Sequence, residues 1–256
     1  MKYFLILFST LLLTCQTETE DDKSSPYEKI EDIYARHLLE NAVQAAGGLE
    51  KWESKKTIIF QKYVVLYDSA GNTEQATWQA HEYIYTPQQN IVKITWEKED
   101  QQYKIVADKV GAMRYVNEQE DTTTSTQSLQ NTVLSATFVI SLPFKLLDGG
   151  VQLSHGGQKV IEDSLQVEVL KAVYNAEAHE NHSNQDIWEL YFDAKDYKML
   201  GYQVQHDDHI SYVLNESFTT ANGLLFPHLR KSYRVNEQGE KLFLRAEYEY
   251  KDYEVE

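Results

Sequence analysis

Apolar residues recur along this chain with two different periods, and the change between them divides it. Tyr27, Ile30, Tyr34, Leu38, Ala42 and Ala45 return at helical spacing, which gives the stretch from Ser25 to Gly48 one apolar face. Ser25 is placed to cap a helix, Pro26 fits its first turn and Glu28 stands where a capping box needs a carboxylate. Gly47 and Gly48 allow it to stop. The pattern predicts one long helix over 25–48, then one more turn packed by Trp52. Beyond Trp52 the period falls to two. Runs at 57–67, 75–85, 91–98, 103–107 and 110–116 are rich in Val, Ile, Tyr and Trp, and the short segments between them have turn chemistry, so neighbouring runs read as antiparallel. Val92, Ile94 and Trp96 share one face and Lys93, Thr95 and Glu97 the other, the pattern of a sheet wet on one side.

The polar, threonine-rich segment 118–127 interrupts the strands. Leu129, Val133, Ala136 and Ile140 then recur at helical spacing up to Pro143, which ends such a pattern, so a helix followed by a short turn is predicted, with a strand over 136–142 as the other reading. Gly149-Gly150 and Gly156-Gly157 read as tight turns. Alternation resumes at Leu165, Val167 and Val169, at Trp188, Leu190 and Phe192, at Leu200, Tyr202 and Val204, at Ile210, Tyr212 and Leu214, and through 224–235 and 242–250. The polar segment 177–185 reads as a long hairpin loop. The expected fold class is α+β: a single large curved antiparallel β-sheet packed over one long N-terminal helix and a second, shorter helix.

Composition adds location. The chain has 256 residues and no Gly-, Pro- or Ser-rich linker, so residues 26–256 read as one domain. Asp and Glu number 40 against 24 Lys and Arg, a formal charge of −16, which opposes a phosphate backbone and excludes nucleic acid as the expected partner. The same sign points to neutral or zwitterionic rather than anionic cargo. Lys2 precedes an apolar run over 3–13 that is too short for a ~20-residue membrane span but suits an export signal. Thr14 and Cys15, the single cysteine, follow it. Residues 1–14 resemble a bacterial lipoprotein signal. The resemblance implies that Cys15 becomes the lipid-modified first residue and the membrane contact, since more than one acyl chain gives a stable anchor. Residues 15–25 read as a flexible acidic tether. Gln16 after the modified cysteine resembles lipoproteins passed to the outer membrane, facing the periplasm or the cell surface. With one cysteine there is no intramolecular disulfide.

Catalytic chemistry finds little support. There is no G-x-S-x-G motif and no phosphate loop, and no cofactor is expected. His206 and His209 flank Asp207-Asp208; if that pair is a hairpin turn, both imidazoles face one side and are weak candidate zinc ligands, the basis of a zinc-dependent hydrolase reading. Structural zinc needs four ligands and catalytic zinc usually three, and no HExxH or CxxC accompanies the pair.

Four landmarks carry a family resemblance: AAGGLEKW over 45–52, LPFKLLD over 142–148, DIWELYFD over 186–193 and GLLFPH over 223–228. Their order resembles that of an uncharacterised Bacteroidetes lipoprotein family, DUF6503, which in turn looks like a relative of the LolA and LolB lipoprotein carriers. That resemblance implies an unclosed half barrel over helices that cradles acyl chains. Trp78, Trp96, Trp188, Phe192, Phe226 and Phe243 are the candidate lining of such a cavity for a lipid or other apolar ligand, held without catalysis. Two readings stand beside it: a structural or protein-interaction lipoprotein whose aromatics fill the core, and the zinc hydrolase.

Overall fold

The computed structural model describes residues 25–174, 187–206 and 208–256. The signal, Cys15, the tether up to residue 24, the loop 177–185 and Asp207 lie outside the described residues.

The N-terminal helix α1 runs Ile33–Ala45 and begins later than the sequence suggests. Ser25, Pro26 and Glu28 form an isolated turn, closed by the Glu28 N–H donating to the Ser25 carbonyl at 2.9 Å. The cap is Asp32 instead, whose Oδ1 accepts from the N–H groups of Tyr34 and Ala35 at 2.9 and 3.1 Å. Its other oxygen accepts from the His155 N–H at 2.9 Å, so one carboxylate caps the helix and ties it to a strand. The buried face is Ala35, Leu38, Leu39, Ala42 and Val43, while Tyr34 is 70% exposed. A second short helix, α2 (Leu49–Ser54), follows Gly47 and Gly48. Its Trp52 stacks flat on Phe144 at 4.4 Å.

Helix α3 covers Thr126–Ser141 and a 3-10 turn covers Phe144–Leu147, matching the predicted helix and turn around Pro143. The strands are β1 (Thr57–Tyr67), β2 (Thr73–Tyr85), β3 (Asn90–Lys98), β4 (Gln101–Ala107), β5 (Ala112–Val116), β6 (Gln119–Glu120), β7 (Val151–Ile161), β8 (Leu165–Tyr174), β9 (Ile187–Asp193), β10 (Met199–Gln205), β11 (Ile210–Ala221), β12 (Leu224–Val235) and β13 (Lys241–Val255). Among the described residues they form one 13-stranded sheet in the order β6-β5-β4-β3-β2-β1-β13-β12-β11-β10-β9-β8-β7. Every pairing is antiparallel, and every one joins strands consecutive in the chain except β1 with β13, which closes the middle. The chain thus runs outward from β1 to the edge strand β6, crosses by way of α3 to the opposite edge β7, and returns inward to β13. The two edges do not meet, so the sheet is a curved, unclosed half barrel. Bulges in the β1–β13, β11–β12 and β12–β13 ladders supply the bends that such curvature requires.

Gly156 and Gly157 do not turn the chain. They lie inside β7, at a bulge between His155 and Gly157, where a Cβ on Gly156 would come within 2.8 Å of Val169 Cγ1. Gly201 in β10 is more tightly placed, since a Cβ there would lie 2.1 Å from the Val213 carbonyl oxygen of the paired strand. Backbone cannot yield as a side chain does. Gly201→Ala is expected to cost about 3 kcal/mol, read as a lower urea midpoint at unchanged slope.

Helix α1 packs on β7 and β8, and α3 packs on β4 and β5. The half of the concave face beneath α1 is filled by Leu38, Leu39, Val43, Leu170, Leu190 and Phe192. The half beneath α3 is different.

Candidate functional site

In a strand successive side chains alternate between faces, so residues in phase with the core all point to the concave side. In β1 that phase reads Ile58, Phe60, Lys62, Val64, Leu66, and in β12 it reads Phe226, His228, Arg230, Ser232, Arg234. Both strands therefore carry cations at positions that the pattern reserves for apolar residues. They stand on the floor of a cavity of about 1140 Å³ between the sheet and α3. Helix α3 forms the roof, with Leu129, Ala136 and Phe138 among the lining. Ile94 and Ile105 line one flank, and Val204, Val213 and Trp188 the other. Gln75, Lys98 and Asn131 on its border are exposed to solvent. Volumes of ~300–1,000 Å³ are usual for small-molecule sites, so this one suffices for a long-chain ligand.

Arg230 is 4% exposed. Its NH1 donates to the Tyr250 hydroxyl and its NH2 to the Tyr202 hydroxyl, each at 3.2 Å. The guanidinium lies 5.7 to 5.9 Å from the ring centroids of Tyr202, Tyr248 and Tyr250, inside the range of cation–π attraction. Among the described residues its Nε has no hydrogen-bond partner. Lys62 lies two strands away, with Nζ 5.2 Å from the Tyr248 ring centroid. Burial, and secondly the charge of Arg230, lower its pKa to about 8. Beside them His81 stacks on Phe60 at 4.6 Å, and its two ring nitrogens contact the Tyr83 hydroxyl and Gln79 Oε1 at 3.1 and 3.2 Å. Burial and the charge of Lys62 hold its pKa well below the ordinary histidine value, so it stays neutral near pH 7 and leaves the positive charge to Lys62 and Arg230.

The charge of this lining is one-sided. Among the described residues it holds no Asp or Glu. Four of its cations are neutralised by carboxylates: Arg114 by Asp121, Lys145 by Asp148 at 2.5 Å, Lys98 by Glu99 at 3.7 Å and Arg245 by Glu74 at 2.6 Å. Among the described residues Lys62 and Arg230 form no ion pair with a carboxylate; Arg234 feels the charge of Asp208 and donates to the Ser211 hydroxyl. The expectation of neutral or zwitterionic cargo rested on the net charge of the whole chain. The cavity carries the opposite sign, because none of the described acidic residues lines it.

The candidate aromatics fall in four places. Trp96 and Trp188 line the cavity, Trp96 stacked on Tyr103 at 5.2 Å and Trp188 packed on Phe138 at 4.9 Å. Phe192 and Phe226 are in the closed core. Trp78 is 42% exposed and stacks on Tyr63 on the outer face of the sheet, out of phase with the cavity residues of β2. Phe243 is half-buried on β13 and does not touch the cavity. His206 and His209 do meet, with ring centroids 4.6 Å apart, on the cavity rim. Among the described residues no group of three His, Cys, Asp or Glu is placed to hold a metal ion. Lys62 and Arg230 were missed by a search for motifs; the signal for them was a charge in phase with apolar neighbours on a strand.

A model of a protein family described as a family of unknown function, DUF6503, matches residues 1–249. Solved structures share the fold, among them the following two. A DUF1329 family protein from Desulfovibrio piger superposes with a TM-score of 0.56 at 7% identity, over 87% of this chain and 93% of that one. A LolA superfamily protein from Nitrosomonas europaea superposes with a TM-score of 0.53 at 10% identity, over 86% and 92%. The architecture is LolA-like: a curved, unclosed antiparallel sheet with helices against its concave face. No curated protein matches the sequence.

Proposed function

We propose that this protein, which belongs to the DUF6503 family, is a lipoprotein of the bacterial envelope, anchored through Cys15, that holds a lipid or acyl chain beneath α3 without converting it. The observation that carries the reading is the division of the concave face. Under α1 it is packed shut, whereas under α3 the same sheet leaves about 1140 Å³ lined by Ile94, Ile105, Phe138, Trp188, Val204 and Val213. A cavity of that size in a core otherwise closed by large side chains forgoes packing, and packing is what a merely structural domain would keep. The half-barrel fold also supplies the concave scaffold on which an acyl chain can lie.

Magnitudes decide what the ligand must offer. A chain burying about a dozen methylenes gains roughly 10 kcal/mol, comparable with the ~4–15 kcal/mol lost on association. Hydrocarbon alone therefore gives modest affinity, and the head group has to contribute. The test is titration of a fluorescent fatty acid into the full chain reconstituted in nanodiscs, with empty nanodiscs subtracted. A saturable signal of one probe per chain is expected. A signal no greater than that of empty nanodiscs would refute the reading.

A further inference from the structure

We propose that the ligand is an anionic amphiphile, with a carboxylate or phosphate head bound between Lys62 and Arg230 on the cavity floor and its hydrocarbon running beneath α3. This rests on the binding function proposed above and adds the chemical class of the ligand.

The first ground is the floor itself. Arg230 spends two of its donors on tyrosine hydroxyls that can only share them weakly, and its Nε is unused. Lys62 faces tyrosine rings and the Arg230 charge rather than a carboxylate. Arg230 is buried without a counter-ion and Lys62 stands half-buried beside it, where well-packed apolar residues would serve a structural core better. An anion placed between them supplies the missing charge and acceptors, with the strength of charge-assisted hydrogen bonds. The second ground is contrast. The chain carries 40 acidic residues against 24 Lys and Arg, yet none of the acidic ones among those described lines the cavity. The third is layout: Lys62, Arg230 and Arg234 stand on the central strands β1 and β12, while Ile94 and Ile105 on one side and Val204 and Val213 on the other flank them. A polar floor between apolar flanks suits one head and its chain.

The groups facing Lys62 are Arg230 on β12, Tyr248 and Tyr250 on β13 and His81 on β2. An anion beside Lys62 raises its pKa. Binding is therefore strongest where Lys62 is already protonated and weakens as the pH rises through about 8.

The experiment is native mass spectrometry of the full chain from an uncharged detergent, with hexadecanoate, hexadecyl phosphate and hexadecanol competing at equal concentration. The two anions are expected to outcompete hexadecanol by at least about tenfold, and the preference is expected to shrink in Lys62→Met and Arg230→Met. Both variants exchange a charge for an apolar side chain, a change that folds commonly tolerate even at a buried position; the wild-type competition stands without them. Equal occupancy by the alcohol and the anions would overturn the anionic class while leaving the binding function intact. Failure of all three to bind would overturn the binding function itself. Millimolar inorganic phosphate is expected not to displace hexadecyl phosphate; displacement would show a site for small anions and refute the amphiphile.

Discussion

Replacing Cys15 by Ser is expected to release the protein from the membrane fraction completely. The residues before it, Lys2, the apolar run over 3–13 and Thr14, have the order of an export signal but not the length of a membrane span. Among the described residues no helix is long and apolar enough to cross a membrane. The attachment proposed here is therefore the lipid on Cys15. Two or more acyl chains at roughly 0.8 kcal/mol per buried methylene hold a protein stably where a single chain is marginal, so the change is close to all-or-none. Intact mass of the extracted wild-type protein is expected to show a chain beginning at Cys15 with added acyl mass. An unmodified chain beginning further along would refute the anchor. So would a Cys15→Ser variant that stays membrane-bound.

The second large effect is expected from Ser232→Trp. Ser232 is buried on β12 between Arg230 and Arg234 and lines the floor of the cavity. An indole buries ~150–250 Å², and from the floor it takes up part of the cavity of about 1140 Å³. The fold is expected to lose about 1–3 kcal/mol. The ligand loses its seat, with affinity down at least about a hundredfold, close to 3 kcal/mol. Trp78→Ala is the matching control. It removes an indole from the outer face of the same sheet and is expected to leave affinity unchanged. If Ser232→Trp binds as wild type does, the ligand is held somewhere other than beneath α3.

Much of the fold could be read from local pattern because most of it is local. The run over 57–67 coincides with β1 (Thr57–Tyr67), since alternation bounded by turn residues leaves a strand few alternatives. The start of α1 was not local. Ser25, Pro26 and Glu28 have helix-capping chemistry, but Asp32 caps the helix because its second oxygen is held by His155, far away in sequence. The Gly156-Gly157 pair misled for a related reason: a glycine that serves a bulge against Val169 looks in sequence like one that serves a turn.

The site was harder to read than the fold. Aromatic residues marked the core as readily as the cavity, so Phe192 and Trp188, from a single strand, ended in different places. Net charge sums over every surface, whereas a ligand meets one, so it says little about this cavity. The more informative signal was narrow: Lys62 between Phe60 and Val64, and Arg230 in phase with Phe226, each break an apolar series. Burial of an uncompensated charge is costly enough that such a break points to function before it points to packing.

The central claim is that the space beneath α3 holds an amphiphile in the cell. It is tested most directly by native mass spectrometry, with lipid extraction, of the protein purified from its own envelope, alongside Ser232→Trp prepared in the same way. One reproducible bound mass per wild-type chain is expected, recovered on extraction as an acidic lipid and missing from the variant. A wild-type protein that emerges empty, or a lipid retained equally by Ser232→Trp, would contradict it.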